Sequence, residues 1–204
     1  MVGAFYMMYT DAYNFNLIIF PLGQIRILTH VLSNFPRYVL KVKDQLQCSR
    51  DEASFVTLRE CILKHKGIIR YLEEYNDTMK NIMLLDFLQS SLQLASIMIQ
   101  FVLTKATVFN IIFHAEFVFS MLLRLLVYYW YANEIMLESI NVSTAIYECG
   151  WYDEPKKVKQ MMLLMIQRAN KVLKLDIGPF TTMTLGTFLS ILKASYSYLT
   201  VMYR

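Results

Sequence analysis

The chain of 204 residues is 56% hydrophobic and only 18% charged, with a net charge of +4 and a mean hydropathy of +0.36. Ordinary soluble domains carry about 25% charged residues, so this composition points to an integral membrane protein. The basic residues are spread among acidic ones, which excludes the concentrated Lys/Arg face of a nucleic-acid-binding protein. Three widely spaced cysteines, Cys48, Cys61 and Cys149, supply neither a disulfide framework nor a paired-thiol metal site.

Residues 1–25 are apolar and aromatic, interrupted by Asp11, Asn14 and Asn16. They read as a first membrane span, with no secretory signal peptide. Pro21 is expected to kink this span, because its ring removes a helix hydrogen bond. Asp11 sits either near the membrane interface or facing the interior of a helix bundle.

Residues 27–81 mix Lys and Arg with Asp and Glu, while Leu58, Ile62, His65, Ile69 and Leu72 recur at helical spacing. This predicts two solvated helical extensions joined by a polar turn near residues 49–54, with Asp51 or Ser54 capping the second.

Residues 83–103, MLLDFLQSSLQLASIMIQFVL, read as the second span. Asp86, Gln89, Gln93 and Gln100 cluster near one face with Ser90 and Ser96, as expected of polar groups that turn inward and bond across helices. A short turn carrying Lys105 leads to the third span, residues 108–131, which contains His114, Glu116 and Arg124. His114 and Glu116 are placed near the outer boundary. His114 has no second ligand at i,i+4, so the zinc-protease helix pattern is absent. Residues 133–176 are polar and Lys-rich, with an amphipathic helix bearing an apolar patch at 161–166. Gly178 and Pro179 then break the chain.

The final stretch, residues 181–204, reads TTMTLGTFLSILKASYSYLTVMYR. As a helix it spans about 36 Å, enough for a bilayer of about 30 Å. Phe188, Leu192, Leu199 and Tyr203 form a bulky face, while Thr187, Ser190, Ala194, Ser197 and Val201 form a small one that lets another helix approach. Lys193 should face protein or water rather than lipid.

The predicted fold is therefore an all-α membrane protein with about four transmembrane helices, at residues 1–25, 83–103, 108–131 and 181–204, and long cytoplasmic helical extensions at 38–80 and 147–175. Lys and Arg concentrate in the two long connections, so the positive-inside rule places both in the cytoplasm. Both Met1 and Arg204 then lie outside the cell. The sequons at Asn76 and Asn141 would be cytoplasmic and unglycosylated, and the cysteines would be free thiols. No phosphate loop, dinucleotide-binding glycine pattern or nucleophile elbow is present. An enzyme is not expected, nor a metal or cofactor site.

Several motifs in order resemble insect odorant receptors. Ser139, Ala145-Ile146-Tyr147 and Trp151 are followed by a Lys-rich helix ending in Arg168, then Gly178, Thr187-Phe188, Ile191-Leu192-Lys193 and Ser195-Tyr196-Ser197-Tyr198. Upstream, Cys61-Ile62 with His65, and residues 84–91, are similar to the family's pattern at its fifth span. The resemblance implies a seven-helix receptor with a cytoplasmic N-terminus, of which this chain holds spans four to seven. Roughly the first half is missing, so a partial sequence or truncated gene model is expected.

The resemblance further implies a ligand-gated, nonselective cation channel for olfaction, in the plasma membrane with its C-terminus extracellular. It implies a tetramer formed with the olfactory co-receptor and small volatile odorants as ligands. By position, residues 181–204 are the pore helix, with Tyr196, Leu199 and Tyr203 lining the pore; an apolar ring there gates by excluding water. Phe5, Met8 and Tyr9 on the first span and Met98 and Phe101 on the second are candidates for the odorant pocket, since Met and aromatic surfaces suit small volatile ligands. Tyr147 and Trp151 belong to the cytoplasmic subunit anchor. The competing readings are another multi-pass protein, such as a gustatory-type receptor, a G-protein-coupled receptor or a transporter, and a non-conducting truncated product.

Overall fold

The computed structural model describes the backbone of residues 2–103 and 107–202, and the side chains of residues 9–97, 99–100, 107–194 and 196–197. Within these the fold is all-α apart from one small hairpin. The elements are α1 (Val2–Ser33), α2 (Phe35–Leu46), α3 (Arg50–Leu103), α4 (Val108–Glu148), a 3-10 turn (Trp151–Asp153), α5 (Lys156–Ala169), β1 (Asp176–Ile177), β2 (Thr181–Thr182) and α6 (Leu185–Met202).

Local chemistry explains the boundaries. The first helix continues through Pro21 and ends at Ser33, where Pro36 occupies the first turn of α2, a position that tolerates its missing N–H. Gln47 adopts a left-handed conformation, φ 49°, and stops α2. Ser49 then opens α3. The Glu52 N–H donates to Ser49 Oγ at 3.2 Å, and the Ser49 N–H donates to Glu52 Oε2 at 3.2 Å. This reciprocal pair satisfies two donors that the helix start would otherwise leave unbonded. The expected caps Asp51 and Ser54 are thereby corrected. Both lie inside the helix, Asp51 in its first turn and Ser54 buried one turn further on.

Two pairs of neighbouring segments join into single long helices. The solvated extension before residue 81 and the span after it are one helix of 54 residues, α3. The third span likewise runs on to Glu148 as the 41-residue α4. Conversely, the last helix starts at Leu185 rather than at Thr181. Thr181 pairs with Ile177, and Thr182 with Asp176, in an antiparallel hairpin that turns at Gly178 and Pro179. Thr184 then accepts the Thr187 N–H at 3.2 Å, which supplies the helix cap.

The chain forms two compact units. One comprises Met1–Glu74 with Glu134–Lys174, and the other Tyr75–Asn133 with Leu175–Arg204. In the first unit, Ile18, Leu22, Ile25, Leu28 and Leu32 of α1 recur at three- and four-residue intervals and are buried, the stripe expected of a helix packed along one side. Ile135, Ser139, Val142 and Ile146 of α4 do the same, as do Val158, Met162, Met165 and Ala169 of α5. Phe35 and Val39 anchor α2 in this core. Polar ties add direction: Arg26 pairs with Glu134 at 2.7 Å and Glu138 at 3.0 Å, Tyr71 Oη donates to the Leu17 carbonyl at 2.9 Å, and Ser139 Oγ accepts the Leu173 N–H at 3.2 Å.

In the second unit Met83, Leu94, Met121, Leu125, Tyr129, Ile177, Met183 and Phe188 are buried. Outside that core the surface is strongly apolar. Phe109, Ile112, Phe113, Phe117, Phe119 and Leu123 on α4, and Leu85, Leu88 and Leu92 on α3, are exposed. So many exposed large apolar side chains call for lipid or partner helices around them. Two helices among the described residues are long and apolar enough to cross a membrane, Tyr9–Ser33 and Val108–Glu148.

Candidate functional site

Among the described side chains of the candidate pore helix α6, one side is packed and the other is exposed. Phe188 and Ile191 are buried, and the Phe188 ring lies 6.0 Å from the Tyr129 ring of α4. The other side presents Leu189, Ser190, Lys193 and Tyr196 to the outside of the chain. Tyr196 is 69% exposed. Leu199 and Tyr203 fall three and seven residues beyond it in sequence; the Leu199 side chain and all of Tyr203 lie outside the described residues. Lys193 is exposed on this uncovered face, where the sequence expectation requires water or another protein surface rather than lipid beside it.

The odorant-pocket candidates are only partly visible. Tyr9 is 73% exposed on α1. The side chains of Phe5, Met8, Met98 and Phe101 lie outside the described residues, so no shared pocket of these five is defined. Of the anchor pair, Tyr147 is exposed at the end of α4. Trp151 is half-buried with its ring 5.1 Å from Tyr152.

One polar cluster was visible in the sequence only as separate residues. Asp86 of α3 and Arg124 of α4 form an ion pair, and Arg124 Nη2 also reaches Ser90 Oγ at 3.5 Å. The Arg124 guanidinium stands 5.9 Å from the centre of the Tyr128 ring. Charges among so many apolar residues are tolerated because they neutralise one another. Nearby in the chain, His114 Nδ1 lies 2.6 Å from the Asn110 carbonyl, which makes it the donor. Among the described residues no three His, Cys, Asp or Glu side chains come together as a metal site.

The first unit carries a groove of about 580 Å³ between α3 and α5, with Ile62, Ile69, Met161 and Met165 as its floor and Lys66, Arg70 and Arg168 on its rim. His65 lines it and is 6% exposed. Burial, helped by the nearby Arg168 charge, pushes its imidazole below the ordinary value of 6.5. A depressed His value favours the neutral ring in the folded state. Stability from this source is full above about pH 6.5 and falls as pH drops toward the lowered value. The loss is at most about tenfold in the folding equilibrium per pH unit. Thermal melting in detergent between pH 7 and pH 5 should therefore show an acid-side decline that His65→Gln flattens. An unchanged decline in the variant would assign the effect to other groups. Cys61 and Cys149 are buried thiols pushed up to about 11, chiefly by that burial, which keeps them protonated and unreactive.

Comparison with known proteins adds the family. The family described as 7tm Odorant receptor matches residues 1–196. Odorant receptor 10 of Aedes albopictus is 31% identical over 91% of this chain and 48% of its own length. Odorant receptor Or2 of Anopheles gambiae is 30% identical over 74% of this chain and 39% of its own length. The Odorant receptor coreceptor of Aedes aegypti is 26% identical over 68% of this chain. The chain thus spans about half the length, or less, of the relatives it matches. In fold it is similar to the insect olfactory receptor OR5 of Machilis hrabei, solved in complex with eugenol, with a TM-score of 0.78 at 18% identity over 96% of this chain and 48% of that one. An all-α chain with apolar helices, a helical charged extension and a last helix packed on one side fits this company, and the chain belongs to the 7tm odorant receptor family.

Proposed function

We propose that this chain supplies the last four membrane helices and the cytoplasmic anchor of an odorant receptor subunit, part of a nonselective cation channel opened by small volatile odorants in olfaction. The observation that carries the reading is the family match over residues 1–196; the half-packed α6 agrees with it, because a pore wall needs a face that its own subunit leaves uncovered. The coarse setting is a multi-pass membrane protein of the plasma membrane. Lys and Arg in the long connections favour a cytoplasmic anchor and an extracellular C-terminus. Relatives of this chain include co-receptors, which favours assembly with such a co-receptor; the assembly proposed is a tetramer. No catalytic chemistry is required.

In this reading Tyr196, Leu199 and Tyr203 line the pore, and Leu199 with Tyr203 forms the constriction near its outer end. Odorant contacts come from Phe5, Met8, Tyr9, Met98 and Phe101, completed by the portion of the subunit that the matched relatives carry beyond this chain's span. The exposed Tyr147 and the half-buried Trp151 act at the anchor, where an exposed aromatic gains a partner surface. Binding shifts the population toward an open bundle in which the last helices separate.

The test is electrical. With the co-receptor present, Leu199→Ala and Tyr203→Ala should each change basal current or shift the reversal potential in mixed cation solutions. Currents unchanged in both variants, at unchanged surface amount, would remove the pore assignment.

A further inference from the structure

Residues 175–184 are fastened to α3 at three successive turns. Asn76 Oδ1 accepts the Asp176 N–H at 2.9 Å, and Asn76 Nδ2 donates to Asp176 Oδ2 at 3.2 Å. One turn on, the Lys80 carbonyl accepts the Gly178 N–H at 2.9 Å. One turn further, Leu84 lies so close to Gly178 that a Cβ there would come within 2.9 Å of its Cδ2.

The same segment is fastened to α6. The Met183 N–H donates to the Leu175 carbonyl at 2.7 Å. Thr187 Oγ1 donates to the Thr182 carbonyl at 2.8 Å, and Thr184 caps the helix through the Thr187 N–H. Between Asp176 and Thr187 the hydrogen bonds follow one another closely, so little slack separates α3 from the start of α6. A displacement of α3 near Asn76 is then carried into α6 rather than absorbed by a loose loop.

We propose that the hairpin is a coupling element and that Asn76 is a positioning residue, clamping Asp176 so that the first turn of α6 follows α3. The proposal rests on the reading of α6 as the pore helix. It adds the route by which movement elsewhere reaches that helix, a continuous chain of hydrogen bonds and packing of the kind that carries coupling.

The experiment compares three forms of the protein: unaltered, Asn76→Leu, and the swap Asn76→Asp with Asp176→Asn. Leucine keeps the volume and removes both side-chain bonds. The swap restores both with the donor now on position 176, since the carboxylate accepts the main-chain N–H and the new side-chain amide alike. Amide hydrogen exchange is followed at Asp176 and Gly178 in detergent-solubilised protein. Odorant concentration–response curves are recorded with the co-receptor at matched surface amounts. Asn76→Leu should speed exchange at both amides and move the half-maximal odorant concentration by about tenfold, and the swap should bring both readouts back to within about twofold.

Unchanged exchange in Asn76→Leu would overturn the clasp itself. Faster exchange with an unmoved response curve would overturn the coupling role. Absent current from the unaltered protein, with exchange behaving as expected, would instead overturn the channel reading and the coupling that depends on it, and so separates the two failures.

Discussion

Arg124→Leu is expected to destabilise the folded chain by about 3 kcal/mol, read as a lowered melting midpoint in detergent micelles. The cause is the charge left behind. Asp86 would lose its ion-pair partner among Met83, Leu125 and Tyr129, and an unpaired charge in such surroundings costs about 3–5 kcal/mol. The lower figure applies because both side chains keep 29% of their surface exposed. Asp86→Leu should cost a similar amount for the opposite charge. The double variant Asp86→Leu with Arg124→Leu should lie within about 1 kcal/mol of the parent, since replacing both members of a buried pair by apolar residues is often close to neutral. Single effects that simply add in the double variant would show that the two charges do not act as a pair.

The second large effect is expected at Gly178. Its φ of +57° is a backbone state that a β-branched residue adopts only under strain, and the space beside it is filled by Leu84. Gly178→Val should therefore cost about 3 kcal/mol, from a strained backbone of about 1–3 kcal/mol and overpacking of similar size. The two parts are separable. Gly178→Asn tolerates the positive φ better and retains the clash. Leu84→Ala in the Gly178→Val background relieves the clash and retains the strain. Each should recover about half of the melting shift relative to its own control. A Gly178→Val protein that melts with the parent would mean that the hairpin is not pinned on α3.

The helical character, the alternation of apolar and charged segments and the family resemblance were legible in the sequence, because each rests on periodicity or on motif order. The Ser49 cap was legible too, as the Ser-x-x-Glu pattern of Ser49 and Glu52, but Asp51 and Ser54 in the same polar run are cap-type residues as well. What escaped depends on partners distant in the chain. Asn76 and Asp176 are separated by 100 residues, and two-residue strands carry no alternation to reveal the hairpin between them. Asp86 and Arg124 each stood out as charges in apolar runs. Only the register of α3 against α4 makes them a pair. Tyr147 illustrates the opposite case. The family pattern marks it, yet within this chain it is 61% exposed.

The orientation proposed for the chain puts its basic connections inside the cell and its C-terminal end outside. An epitope placed after Arg204 tests it in a single labelling experiment on intact cells, with a second epitope in the turn at Gln47–Cys48 as the internal control. Antibody should reach the C-terminal epitope without permeabilisation and the turn epitope only after it. A C-terminal epitope reachable only in permeabilised cells, while the turn epitope is exposed, would contradict the claim.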